Sequence, residues 1–220
     1  MAKEQAPVRA VQRAFDLLGL LSAAHPTATL SDLARGSSLP VSTAARLLAT
    51  LERTGFVRRD GENRYAPGTR LVQLGLSAVR SLTIYELAEP HLRRLSEASG
   101  ETANLSVPAD ADNAVYLRQV VSPRTVHHAS WLGRMLPIRK TAAGAAIAGR
   151  VNAHGYVARR NTLERDVTAI AAPVYGPGGA IVAAFSITAP SFRVGEKDLQ
   201  RLGALVVEEA EKASIALGSK

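Results

Sequence analysis

The sequence predicts an α+β fold whose helices and strands occupy separate stretches of the chain. Over residues 9 to 55, apolar side chains recur at three- and four-residue intervals. Beyond residue 101, short runs rich in Val, Ile, Thr and aromatic residues alternate with Gly, Pro, Asn and Asp clusters, which is strand texture. Residues 195 to 217 return to helical spacing, so an antiparallel sheet packed against flanking helices is the economical arrangement.

The elements follow in order. PVRAVQRAFDLLGLLSAAH starts near Pro7 and repeats apolar residues at Val11, Phe15, Leu18 and Leu21; His25-Pro26-Thr27 stops it. TLSDLARG is a shorter helix with Thr29 or Ser31 as N-cap and Gly36 as terminator. Gly36 to Leu39 is a turn, and Pro40 fits the first position of the next helix. In that third helix Ala44, Leu47, Leu48 and Leu51 form the buried stripe, while Ser42, Thr43, Arg46, Thr50 and Arg53 lie on the other side. Gly55 ends it. FVRRDGENRYAPGTRL then reads as a hairpin, with Phe56 and Val57 in one strand, Asp60-Gly61 at the turn and Arg64-Tyr65 returning.

Helix, short helix, turn, longer helix and basic hairpin make a winged helix-turn-helix pattern. Taken alone, the third helix fits an ordinary bundle with a solvated polar face. The turn, the Pro40 start and the Arg58-Arg59…Arg64 hairpin together favour DNA. Ser42, Thr43, Arg46 and Thr50 would face the major groove; Arg58, Arg59 and Arg64 would supply sequence-independent attraction to phosphates or the minor groove. Charge agrees: of the net +8, residues 1 to 80 carry +5, from ten Arg and one Lys against six acids.

After Pro67-Gly68 helical spacing resumes in LVQLGLSAVRSLTIYELAEPHLRRLSEASG. Gly75 and Ser81-Leu82-Thr83 divide it into a connecting helix and a second helix ending at Gly100, with Pro90 kinking the second or marking its first turn. ETANLSVPA, NAVYLRQVV and TVHHASWLG are strand-like; RKTAAGAAIAG is a short helix opened by Thr141. VTAIAAPVYGPGGAIVAAFSITAP is two strands around a Gly-Pro-Gly-Gly turn. GEKDLQRLGALVVEEAEKASIAL closes the chain as an amphipathic helix with Leu199, Leu202, Val206, Ala210 and Ala213 along one face. The division expected is a DNA-binding domain over 1–68, a linker helix over 69–81 and a second domain over 82–220.

SDLARGSSLPVSTAARLLATLERTGFVRR, GRMLPIRKTAAGAAIAG and IAAPVYGPGGAIVAAFSITAP, in this order and over nearly the whole chain, resemble the IclR family of bacterial transcriptional regulators. The resemblance implies a winged-helix domain, a linker helix and a GAF-like effector-binding domain, acting as dimers or dimers of dimers on partly palindromic double-stranded operators. It places Leu136, Ala142, Ala143, Arg159, Val167, Ala169, Ser186 and Thr188 around a small-molecule effector. Several relatives carry an acid where Arg159 stands, so a carboxylic acid suits this chain. The start of the TAAGAAIAG helix, at Ala142, Ala143 and Gly144, would offer free N–H groups to an anion, and Ser186 and Thr188 alternate on one strand, so both hydroxyls share a face. One departure stands out: the family's mostly helical segment between this helix and GYVARR is missing, with only Arg150 to His154 in its place.

An enzyme is the competing class, and the sequence gives it little. Adjacent His127 and His128 on a strand would point to opposite faces, poor geometry for one metal ion. HExxH, GxSxG and GxxxxGK[ST] are absent, and GPGG at 176 to 179 lacks the lysine of a phosphate loop. Glu208, Glu209 and Glu211 read as a solvated helix face. No cofactor and no metal is expected. With no cysteine and no signal-peptide pattern at the amino terminus, the expected setting is the cytoplasm. A DNA-binding protein that has lost effector sensing stays open as an alternative because of the missing segment.

Overall fold

A computed structural model of the chain describes residues 8–21 and 27–219. Pro7, His25 and Pro26, read above as helix punctuation, lie outside them. The chain divides into two compact units, Met1–Ser81 and Leu82–Lys220.

In the first unit α1 (Arg9–Gly19), α2 (Leu30–Gly36) and α3 (Val41–Arg53) enclose a small core. Thr29 caps α2 by accepting from the Asp32 amide, and Asp32 accepts in turn from the Thr29 amide, a reciprocal capping box. Pro40 is the N-cap of α3 and not its first residue. Ala44 and Leu48 are fully buried against Leu17, Leu33, Val57 and Tyr65. Leu17, which the spacing of α1 had left out of its apolar series, is also fully buried, while Val11 and Phe15 stay exposed.

Strands β1 (Val57–Arg59) and β2 (Tyr65–Pro67) pair antiparallel as the wing. The Asp60 carboxylate accepts from the Glu62 and Arg64 amides and shapes the turn. Ala28 bridges to Tyr65 as a third edge of the wing. At the base, Gly68 passes so close to Gly55 that a Cβ would lie 2.1 Å from its carbonyl oxygen. Helix α4 (Thr69–Arg80) runs through Gly75 without a break and buries none of its residues.

The second unit is a six-stranded sheet in the order β5-β4-β3-β8-β7-β6, all neighbours antiparallel. Its strands are β3 (Thr102–Pro108), β4 (Asn113–Val120), β5 (Met135–Pro137), β6 (Val157–Arg160), β7 (Val167–Tyr175) and β8 (Ile181–Pro190). TVHHASWLG is not a strand but an irregular segment; the edge of β4 pairs instead with Met135 to Pro137. One face, with Leu105, Ile170, Phe185 and Ile187, forms the main core with α5 (Thr83–Ser99) and α7 (Glu196–Ala216). Pro90 lies in the interior of α5, on its exposed side. Helix α6 (Ala142–Ile147) covers the other face around Tyr116, Trp131, Ala171 and Ala184.

Two local features fix this unit. Gly144 packs so tightly that a Cβ would meet the Ile138 Cα at 2.3 Å. Glu209, read as solvated, is only 3% exposed and joins α7 to α5. It accepts from His91 Nδ1 at 2.7 Å, Arg94 Nε at 2.9 Å and Lys212 Nζ at 2.9 Å. Spacing on α7 alone could not show this, because His91 and Arg94 come from a distant helix. Burial pushes the Glu209 carboxyl up, but the bonds from Lys212, His91 and Arg94 outweigh it and hold the group below its ordinary value of 4.5.

Gly144→Ala should therefore destabilise the chain by about 1–3 kcal/mol through overpacking, seen as a lower midpoint in thermal unfolding followed by the single tryptophan; an unchanged midpoint would contradict the packing. A depressed carboxyl stabilises fully above its unfolded value and loses that contribution as pH falls through the folded one. Urea midpoints measured between about pH 3 and 6 should fall on acidification, and Glu209→Gln should flatten that dependence.

Candidate functional site

The amino-terminal unit turns one strip of α3 outward. Ser42, Arg46, Thr50 and Arg53 are exposed and Thr43 is half-buried, directly opposite the buried Ala44 and Leu48. Among the described residues Arg46 makes no ion pair, so its guanidinium fork is available. Thr50 donates to the Arg46 carbonyl at 3.1 Å, which commits its proton along the helix and leaves its oxygen as an acceptor. A groove of about 280 Å³ between α1 and α3 brings Arg13 beside Thr43, Arg46 and Thr50. Sequence reading missed Arg13, since nothing in the local spacing of α1 shows which neighbouring helix its cations will flank.

The three wing arginines divide. Arg58 is exposed and unpaired among the described residues. Arg59 bonds to Glu52 at 3.2 Å and Asn63 at 2.8 Å and lies over the Tyr65 ring, 4.9 Å from its centroid. Arg64 is half-buried and donates to the Thr27 carbonyl at 3.2 Å. Arg64 thus ties the wing to the start of α2, and only Arg58 projects a wholly uncommitted charge.

The second unit holds a recess between the sheet and the irregular segment around His128. Pairing aligns Arg159, Ala169, Thr188 and Thr102 across β6, β7, β8 and β3, and beside them Ala171, Ser186, Asn104 and Gln119. Arg159, Ala169 and Thr188 line the recess, together with Ala142 and Val167. Leu136, Ala143 and Gly144 do not; Leu136 is buried in the core that α6 covers, and Ala143 and Gly144 are buried residues of α6 itself. The Gly144 N–H, expected to be free, already donates to the Thr141 hydroxyl at 3.0 Å, so that end of α6 is capped by its own side chain.

Ser186 lies fully buried behind the recess, and its Oγ has no hydrogen-bond partner of normal geometry. Gln119 Oε1 and Ser106 Oγ are unpartnered in the same polar layer of the sheet. Asn104 links Gln119 to Thr188, donating to Thr188 at 3.3 Å and accepting from Gln119 at 2.8 Å. Burial pushes the Tyr116 phenol up to about 12, the nearby Ser186 hydroxyl pulling it back and Glu164 adding to the rise. Tyr116 is therefore a neutral hydrogen-bonding group at the recess wall.

Seven lining residues were not read from the sequence as ligand contacts, among them Tyr116, His128, Trp131 and Glu164. The His128 ring meets Trp131 edge-on with centroids 5.0 Å apart, and Arg134 lies over Trp131 at 4.1 Å. His128 Nε2 bonds to Glu164 Oε2 at 2.9 Å. Among the described residues no group of three or more His, Asp or Glu is placed to hold a metal ion.

Where the helical segment is missing, the chain closes compactly. α6 ends at Ile147, and the Asn152 carboxamide accepts from the His154 and Tyr156 amides to turn the backbone into β6. Comparison with known proteins locates the loss at the same place. The model for the IclR helix-turn-helix domain matches residues 10–61, and that for the bacterial transcriptional regulator IclR C-terminal domain matches in two pieces, 76–149 and 149–215. The acetate operon repressor of Salmonella typhimurium is 27% identical over 248 residues, spanning 96% of this chain and 90% of the relative. Several dozen positions of that relative therefore face no residue here. The HTH-type transcriptional repressor AllR of Escherichia coli is 26% identical, spanning 98% of this chain and 93% of AllR.

Among solved structures, an IclR transcriptional regulator from Alicyclobacillus acidocaldarius superposes with a TM-score of 0.79 at 23% identity, covering 96% of this chain and 99% of that one. An IclR homologue from Microbacterium hydrocarbonoxydans, complexed with 4-hydroxybenzoate, gives 0.75 at 22% identity, covering 96% and 100%. A winged helix with an outward polar strip, an antiparallel sheet with a recess beside α6, and family models spanning both units have one reading: this chain belongs to the IclR family of bacterial transcriptional regulators.

Proposed function

We propose that the chain is a cytoplasmic repressor that recognises a partly palindromic operator through α3 and is released from it by a small carboxylic acid. The observation that carries the DNA contact is the free Arg46 guanidinium among Ser42, Thr43 and Thr50. An arginine so placed can bond guanine O6 and N7 in the major groove, worth about 1–3 kcal/mol of discrimination. Arg58 and Arg13 would add phosphate contacts, while Arg59 and Arg64 hold the wing in shape.

A palindromic operator needs two copies. An apolar trough of about 320 Å³ between α1 and α3, lined by Val11, Phe15, Leu18, Leu47, Leu51 and Phe56, supports pairing through this unit. Phe15 alone is 61% exposed. The unburied apolar residues of α4, Val72, Leu74 and Leu76, support a share for that helix too.

The recess supports the acid. Arg159 lines it without an ion-pair partner among the described residues, and the 4-hydroxybenzoate complex shows that a homologue of this fold takes a small aromatic acid. The acid can change operator affinity only by binding one conformation of the regulator better than another. A second reading, a regulator without an effector, is favoured by the small size of the recess, about 40 Å³.

Arg46→Ala should abolish protection of a duplex selected by the protein from a random pool, with an unchanged thermal midpoint. Arg58→Ala should instead weaken all duplexes alike and lower the slope of log affinity against log salt by about one. Normal footprints from Arg46→Ala would overturn the assignment of α3.

A further inference from the structure

The recess is narrowed by an internal ion pair between two of its lining residues, His128 and Glu164. At about 40 Å³ it holds a few water molecules and no more. The pair joins residues from two separate connections. His128, 6% exposed at its side chain, comes from the irregular segment between β4 and β5. Glu164, 40% exposed, comes from the connection between β6 and β7. That connection is pinched at its neck, where the Asn161 amide donates to the Val167 carbonyl and the Asp166 amide to the Asn161 carboxamide, both at 2.9 Å. Between those points, among the described residues, the tip at 162–165 makes one hydrogen bond to the rest of the chain, the Glu164 carboxylate to His128.

Resting on the effector reading above, we propose that Glu164 is a built-in stand-in for the carboxylate of the effector. The incoming acid takes the place of Glu164 on His128 Nε2, and the tip at 162–165 is released when it does so. The chemistry of the walls selects the acid. His128 and Arg159 both face the recess, so once Glu164 leaves, the lining presents a donor and a cation with no anion against them. Trp131 and the Tyr116 ring give flat apolar surfaces, which suit a planar acid. The neutral Tyr116 phenol at the wall would meet a second polar atom on that acid. Ligand entry and loop release are then one event, because the same imidazole nitrogen cannot serve both carboxylates. An uncharged ligand of equal shape brings no negative charge to replace Glu164 against His128 and Arg159.

Trp131, the one tryptophan in the sequence, lies against His128 and reports on the pair directly. The test uses the full chain and its Glu164→Gln variant, with benzoate and its uncharged isostere benzamide as probes. Without any ligand, acrylamide should quench Trp131 more efficiently in the variant, because the tip no longer holds the recess closed. Benzoate, titrated by calorimetry, should bind the variant about three- to fivefold more tightly, the scale of a half-exposed ion pair. Benzamide should gain nothing.

Equal quenching and equal benzoate affinity in the two proteins would overturn the exchange and leave the effector reading in place. Benzoate binding to neither protein, with Trp131 still more accessible in the variant, would overturn the carboxylate reading and the exchange with it, leaving the closure by His128 and Glu164 standing.

Discussion

Ala44 and Leu48, one helical turn apart and fully buried, hold α3 against α1, α2 and the wing. The functional reading of the amino-terminal unit depends on that contact. An arginine discriminates between base pairs only if its backbone arrives at a fixed depth and angle, so the apolar side of α3 sets the precision of the polar side. The wing is fixed by the same logic. The Ala28 bridge, the Arg64 bond to Thr27 and the close pass of Gly68 over Gly55 leave it little freedom relative to α3. Basic residues that seemed equivalent in the sequence therefore serve two ends: some hold the head together and others remain for a partner.

The carboxy-terminal unit divides its labour between the two faces of one sheet. The residues that meet α5 and α7 are aliphatic and aromatic and supply the main core. The opposite face carries Thr102, Asn104, Ser106, Ser186 and Thr188 in aligned pairs, at burial levels where an unsatisfied hydroxyl costs stability. In that layer Ser106, Ser186 and Gln119 each keep a polar atom without a protein partner among the described residues. After Gly149 the Asn152 turn leads the chain into β6, and His128, Trp131 and Glu164 line the recess on this face.

Much of this was legible in the sequence, for reasons that can be stated residue by residue. Period and punctuation gave the helices of the head, because Thr29, Gly55 and the Asp60 turn act locally. Alternation put Ser186 and Thr188 on one face. What failed was non-local. TVHHASWLG has the composition of a strand, but a strand needs a partner edge, and Met135 to Pro137 occupies the one beside β4. Glu209 sits on a helix whose other acids are solvated; its partners His91 and Arg94 lie more than a hundred residues earlier. Gly144 looked like an open helix start because its close neighbour Ile138 and its capping Thr141 could not be placed from spacing. The wall of the recess was missed for the same reason: His128 and Glu164 meet only through the fold.

We propose that DNA is touched by the strip of α3 opposite Ala44 and Leu48. A photoreactive amino acid placed at Ser42, on that strip, tests it directly when irradiated with a duplex that the protein has selected, with the same group at Glu97, exposed on α5, as the comparison. Crosslinking from position 42 and none from position 97 is the expected result. Crosslinking from position 97 with none from position 42 would contradict it.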